Sequence, residues 1–370
     1  MSMLFFSILP AGAQVTLIPD ATFELALIDE GYDTGVPDGS IPTDSIDGIT
    51  SLYIDALGIT DLTGIEDFTA LEFLHSEDNL LSTIDLSQNL NLEAAYLNFN
   101  ILESLDVSAN SHLKILFCEG NSIPALDVSD NPLLEELSCG TNYITTIDVS
   151  ANTVLKKLVC YQNPISVIDV SNNPALEELI VFETDISDID LDQNPALKVF
   201  SCGLTDLTQL DLSSNSNLTQ VYVHLNNLEC LNIKNGNNAN ITNFDAEDNP
   251  VLTCIEVDDA AWSTTNWTMI DAGASFSTFC PNACSSEILA TPTKTETVVN
   301  VYPNPTSTGL LNVQGIAPGT AYQVTNTAGQ LVLSGIVTAA QIDISALENG
   351  IYILTMIVDD APETIRVSKY

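Results

Sequence analysis

The sequence predicts a solenoid of short parallel strands with a cap at each end, followed by a small antiparallel β-sandwich. Three observations carry this reading. Segments of 21 residues repeat in register: "LDVSANSHLKILFCEGNSIPA" at 105–125, "LDVSDNPLLEELSCGTNYITT" at 126–146 and "IDVSANTVLKKLVCYQNPISV" at 147–167. The period vanishes after about Ser285, where a polar Pro/Thr stretch leads into short alternating strands. Regularly placed Leu, Ile and Val raise the mean hydropathy to +0.20. No run of them approaches the roughly 20 apolar residues of a membrane span, so no transmembrane segment is expected.

At the N-terminus, residues 1–13 read as the remnant of a secretory signal: a short apolar stretch, then Ala11-Gly12-Ala13 as a small-x-small cleavage site before Gln14. A basic leading segment is missing, which fits a true start upstream of Met1. Residues 14–48 are expected to cap the solenoid. Within them "PDATFELALIDE" (19–30) predicts an amphipathic helix with Asp20 as N-cap and Phe23, Leu25 and Leu27 as buried candidates. The following loop places Asp33 and Asp38 in Gly-containing turns without the spacing of an EF-hand.

The repeats run over 49–251. Taking "LDVS" as the frame gives eight starts without a slip, at Ile84, Leu105, Leu126, Ile147, Ile168, Ile189, Leu210 and Leu231. Each unit carries L-x-x-L-x-C/V-x-x-N-x-I/L, as in Leu134, Leu137, Cys139, Asn142 and Ile144. This pattern resembles the leucine-rich repeat, which implies a leucine-rich-repeat solenoid with one short strand per turn and an irregular convex side. One turn cannot bury its own apolar side, so Leu113, Leu116, Cys118 and Ile123 must pack on their counterparts a turn away. Asn79, Asn100, Asn121, Asn142, Asn163 and Asn226 are expected to point inward and satisfy backbone groups at the strand ends, with Thr184 and Thr205 as weaker substitutes. A second set, Asn89, Asn110, Asn131, Asn152, Asn173, Asn194 and Asn215, falls in the returning arm where a tight turn is needed. Cys118, Cys139, Cys160 and Cys202 share a slot with Val181 and Val223. They read as small core hydrophobes in preference to metal ligands or redox centres.

Residues 252–284 are expected to close the other end, with a helix after Ser263. Cys230, Cys254, Cys280 and Cys284 permit three pairings. Cys254–Cys280 is favoured because it staples the cap to the last turn in an oxidising compartment, leaving the other two to pair or stay free. After a linker at 285–297, residues 298–370 show "NVYPNPTSTG", "YQVTNTAGQLV", "IDISALENGIYIL" and a basic end at Arg366 and Lys369. Together these resemble the C-terminal sorting domain (type A) of type IX secretion substrates from Bacteroidota. The resemblance implies export through the type IX translocon, then release or attachment at the outer-membrane cell surface. The other reading of this segment is an ordinary adhesive β-sandwich.

Fifty acidic residues against eight basic ones give a net charge of −42, which argues against nucleic-acid and anionic-membrane partners. The three His are spread too far along a solenoid to converge on one another, and no P-loop, HExxH or dinucleotide glycine pattern is present. Neither an enzyme nor a cofactor is expected. Two outward columns on the concave strand face are candidates for binding. One holds Tyr96, Phe117, Val159, Ile180 and Tyr222; the other holds Tyr161 and Phe182, thinned by Gly140 and Gly203. On the returning arm Asp85, Asp106, Asp127, Asp148, Asp169, Asp190 and Asp211 stack in a file. There, Asp capping its own turn is weighed against weak calcium association, for which Asp106, Asp127, Asp148 and Asp169 are the candidates. The sequence therefore points to a secreted binding protein with an extracellular protein or polysaccharide partner. A calcium-associated adhesive or structural surface protein is the alternative.

Overall fold

A computed structural model describes residues 14–281, Cys284 and, from Asn300, all but 303–305, 307, 315–319, 327–329, 339, 359–360 and 370. The expected signal remnant and linker, the Asn304 region and the expected turn at Ala328-Gly329 lie outside the described residues. The chain divides into two compact units, Met1–Ser285 and Ser286–Tyr370.

In the first unit eleven strands of two to four residues, from Ser51–Tyr53 to Met269–Ile270, form one parallel sheet in which each pairs with a strand of the next turn. The register follows the repeat: Leu116 faces Leu137, which faces Leu158. The middle residue of each three-residue strand points inward, and the core runs the length of the unit, including Leu113, Leu116, Cys118 and Ile123 with no exposed surface. The strands are this short because a 21-residue turn must spend most of its length returning. Near the C-terminal end the return path is regular too. There Gln209–Asp211, Cys230–Asn232, Cys254–Glu256 and Ser275–Ser277 make a second parallel sheet.

The Asn at the strand end holds each turn. Asn142 donates its Nδ2 to the carbonyls of Cys118, Cys139 and Gly140 (3.0, 3.1 and 3.1 Å), while its Oδ1 accepts the Ile123 N–H at 3.0 Å. These bonds clamp a left-handed residue immediately before the Asn in every such turn. Phe99, Thr141, Gln162 and Leu225 before an Asn, and Glu183 and Leu204 before the two Thr, all have φ between 51° and 56°; at the same place Gly120, Asp78 and Asp248 are residue types that suit this region better. Thr184 and Thr205 stand in with a hydroxyl that donates to the Val181 and Cys202 carbonyls. The second Asn set does more than turn the chain. Asn131 is fully buried and donates to Val107 and Asn110 of the preceding turn, both at 3.0 Å, and Asn89 through Asn215 repeat this arrangement. Two internal amide ladders therefore tie each turn to the last.

The N-terminal cap contains helix α1, Ala21–Asp29. Asp20 accepts the Thr22 and Phe23 N–H groups through one oxygen, and Thr60 and Asp61 through the other. Burial alone would raise its pKa, but these hydrogen bonds outweigh that and lower it. Phe23 and Leu27, one helical turn apart, are buried, whereas Leu25 is 46% exposed and corrects the expectation of a third core residue. The buried neighbour is instead Glu24, whose carboxylate accepts Asp38 N–H and Gly39 N–H at 2.7 Å each. At the other end helix α2 spans Ala260–Asn266 and begins before Ser263, because Asp259 accepts from Ala261 and Trp262 and starts it there. Trp267 then stacks on Phe244 with ring centroids 4.4 Å apart and covers the last turn. Cys254 is bonded to Cys280 and Cys230 to Cys284, so the C-terminal end of the cap is fastened to two return-side strands.

The second unit has two antiparallel sheets. One holds Asn300–Tyr302, Leu310–Gln314 and Gln341–Asp343; the other has the order Leu331–Ile336, Ala321–Asn326, Gly350–Val358, Ala361–Lys369. Leu311, Val313 and Ile342 of the first share a core with Val324, Leu354 and Val367 of the second. Tyr352 donates its hydroxyl to the Glu348 carbonyl at 2.8 Å, and Lys369 Nζ donates to the Ser345 carbonyl at 2.7 Å.

Candidate binding face

The outward positions of the eleven-stranded sheet form straight columns because each strand pairs in register with its neighbour. One column reads Tyr53, His75, Tyr96, Phe117, Ser138, Val159, Ile180, Ser201 and Tyr222. At its N-terminal end the rings make a continuous stack. Tyr53 lies 4.5 Å from His75 and His75 4.2 Å from Tyr96, both nearly parallel; Tyr96 meets Phe117 edge-on at 5.3 Å. Tyr53 and His75 extend the column beyond the residues expected from sequence. Tyr53 falls out of phase because it stands 22 residues before His75 instead of 21, whereas His75 is in phase with Tyr96. Further along, Ile180 and Tyr222 are half-buried, Ser138 and Val159 are buried, and Ser138 donates its hydroxyl to the Glu119 carboxylate.

The adjacent column holds a second aromatic pair, Tyr161 and Phe182, stacked at 4.6 Å with planes 6° apart. Gly140 does not thin this patch; it seats Tyr161, as Gly203 seats His224 further along the column. A Cβ at Gly140 would lie 2.7 Å from the Tyr161 ring, and one at Gly203 would lie 2.9 Å from the His224 ring. Tyr161 leans across Gly140 so that its hydroxyl reaches Glu119, two turns away, at 3.2 Å. Burial and then the Glu119 charge push its pKa up, and burial followed by Glu136 does the same for Tyr96, so both phenols remain hydrogen-bond donors.

Along one margin of the face the few cations are paired with the preceding turn. Lys114 meets Glu93 at 2.8 Å, Lys156 meets Glu135 at 2.5 Å and Lys198 meets Glu177 at 2.6 Å. These exposed pairs contribute little stability but hold long side chains in fixed positions. On the return side each Asp of the file closes its own turn. Asp106, Asp127, Asp148 and Asp169 accept the N–H of the residue two further on, at 2.9 Å in every case. Cys118, Cys139, Cys160 and Cys202 are unbonded and fully buried. Burial pushes the Cys118 and Cys160 thiols up to about 12 and raises the other two as well, so none is available as a thiolate.

A parallel strand per turn, an inward Asn closing it and a through-going apolar core make the first unit a leucine-rich-repeat solenoid. Residues 300–367 match the family described as the secretion system C-terminal sorting domain. Such a tail marks the chain for export through the type IX system, to the exterior or to the outer-membrane surface. Among the described residues, no helix is long and apolar enough to cross a membrane. Comparison of the sequence with curated proteins finds none that match. Among solved structures, the chain is similar to internalin C2 of Listeria monocytogenes, with 23% identity over 56% of this chain and 96% of that one and a TM-score of 0.52. It is also similar to a leucine-rich-repeat protein of Leptospira interrogans, with 19% identity over 64% and 62% of the two chains and a TM-score of 0.51. Both likenesses concern the fold. A third similarity is to the functional domain of InlJ from Listeria monocytogenes, which includes a cysteine ladder; identity is 28% and TM-score 0.42, and the match spans 66% of either chain, just under two thirds.

Proposed function

We propose that the solenoid is a non-enzymatic binding module that engages an extracellular protein on the open face of its long sheet. The sorting tail delivers it to the outside. The observation that carries this reading is the clustering of stacked rings on an otherwise polar and acidic surface: Tyr53, His75, Tyr96 and Phe117 in one column, Tyr161 and Phe182 in the next. Among the described residues Tyr53 is 62% exposed. Rigid aromatics offer large contact area at low entropic cost, which suits them to recognition. Tyr161 in particular is held before any partner arrives, by its seat on Gly140 and its hydrogen bond to Glu119.

The test is capture of extracellular proteins, beside a glycan array, by the full-length chain and by two variants, Tyr96→Ala/Phe117→Ala and Tyr161→Ala/Phe182→Ala. Protein capture that falls at least tenfold in either variant supports the reading, that being the loss of one well-packed anchor. Undiminished capture by both would move the contact off this face. Binding to glycans alone would favour the polysaccharide reading, and calcium-dependent self-association without a ligand would favour a structural surface role.

A further inference from the structure

Asp55, His75 and Glu77 come from two adjacent turns at the N-terminal end of the open face, and each offers a donor atom within 4.8 Å of the others. Hydrogen bonds within and beside the group hold its two carboxylates. One oxygen of Asp55 accepts the Glu77 N–H at 2.7 Å, and one oxygen of Glu77 accepts the Asn98 amide at 2.5 Å. Each carboxylate is thereby oriented and keeps a second oxygen for another ligand. The His75 imidazole is clamped face-to-face between Tyr53 and Tyr96, with interplanar angles of 25° and 14°. Stacking fixes the plane of the ring while leaving its nitrogens at the edge. No Lys or Arg precedes Lys114 in the chain, so no cationic side chain of the neighbouring turns competes for the two charges.

From this geometry we infer that Asp55, His75 and Glu77 form a binding site for one divalent transition-metal ion of the zinc class. The donor set decides the class. Calcium and magnesium favour all-oxygen shells, whereas an imidazole nitrogen beside two carboxylates suits the borderline ions. Three protein donors leave coordination positions open toward solvent. The partners of the ligands already present, Asn98 on Glu77 and the Glu77 N–H on Asp55, are the kind that orient a metal shell. The site shares His75 with the face proposed above, but it needs no macromolecular partner to be filled and is tested with the metal alone.

With only three His in the chain, imidazole NMR reads the site directly. Zn2+ is titrated into the full-length protein in millimolar Ca2+, which occupies weak carboxylate positions. The expected result is one saturating equivalent that shifts the His75 resonances and leaves His112 and His224 in place. His75→Phe keeps a ring between Tyr53 and Tyr96 but removes the nitrogen, and it should weaken Zn2+ binding at least about tenfold. Asp55→Asn, checked by its melting curve, should weaken it similarly. Zinc binding unchanged in His75→Phe, shifts confined to His112 or His224, or displacement of zinc by the calcium would each overturn the inference.

Discussion

Tyr161 resting on Gly140 shows how much a single residue's role depends on its neighbour a turn away. Read along the sequence, Gly140 looks like a gap in a column of side chains; in the fold it is the floor on which the ring lies. Restoring a methyl group there forces the ring off its seat. Gly140→Ala is therefore expected to destabilise the protein by about 1–3 kcal/mol, the usual cost of overpacking. In a Tyr161→Ala background it should cost almost nothing, and chemical-denaturation midpoints of the four proteins of the cycle check this. Residues that act through the interior were legible in the sequence: Asn142 and Cys139 recur at a fixed phase, and burial follows from phase. Leu25 was misplaced because only Phe23 and Leu27 share a helical face. The lean of Tyr161 and the meeting of Asp55 with Glu77 were not legible, because both depend on sideways contacts between turns that a repeat pattern does not encode.

At the scale of the element, each turn is assembled from side chains bonding to nearby backbone. The Asp file illustrates the consequence for pH. Hydrogen bonds from the serine two residues on lower the pKa of Asp85, Asp106, Asp127, Asp148 and Asp169. A carboxylate whose pKa is depressed on folding adds stability that is present above its unfolded value. That stability is lost as the pH falls through the folded value. The repeats are thus expected to lose stability below about pH 4, the ordinary carboxylate range. Replacing Asp127 and Asp148 by Asn should flatten that loss, because neither side chain then titrates. Melting temperatures of parent and variant between pH 7 and pH 3 decide it; equal slopes would show that the file contributes nothing to acid sensitivity. The turn period and the inward Asn were visible in the sequence. The left-handed residue at Thr141 or Gln162 was not, since neither residue type favours that conformation; it is held by the turn's own hydrogen bonds, among them those of the Asn amide beside it.

Across the whole molecule, a charge of −42 on 370 residues sets the terms of stability. Like charges spread over a stack of turns repel, and salt screens them over about 10 Å at 0.1 M. The melting temperature should therefore rise between about 10 and 150 mM NaCl, with exposed pairs such as Lys156–Glu135 opposing the trend only weakly. A flat or falling curve would show that self-repulsion does not limit the fold. The division into repeats and tail was plain from where the 21-residue period stops. The starting point of α2 was harder to place, because capping residues are not repeated and each must be read once. The two amide ladders carry a further consequence. Every bond of Asn142 or Asn131 goes to its own turn or the one before, so excising residues 126–146 would bring Asn163 and Asn152 onto the partners they replaced. As far as these two ladders are concerned, the number of turns is free to change in whole units. The solenoid is a ruler graduated at roughly 4.8 Å, whose length can be extended or trimmed by copying or losing a paragraph of sequence.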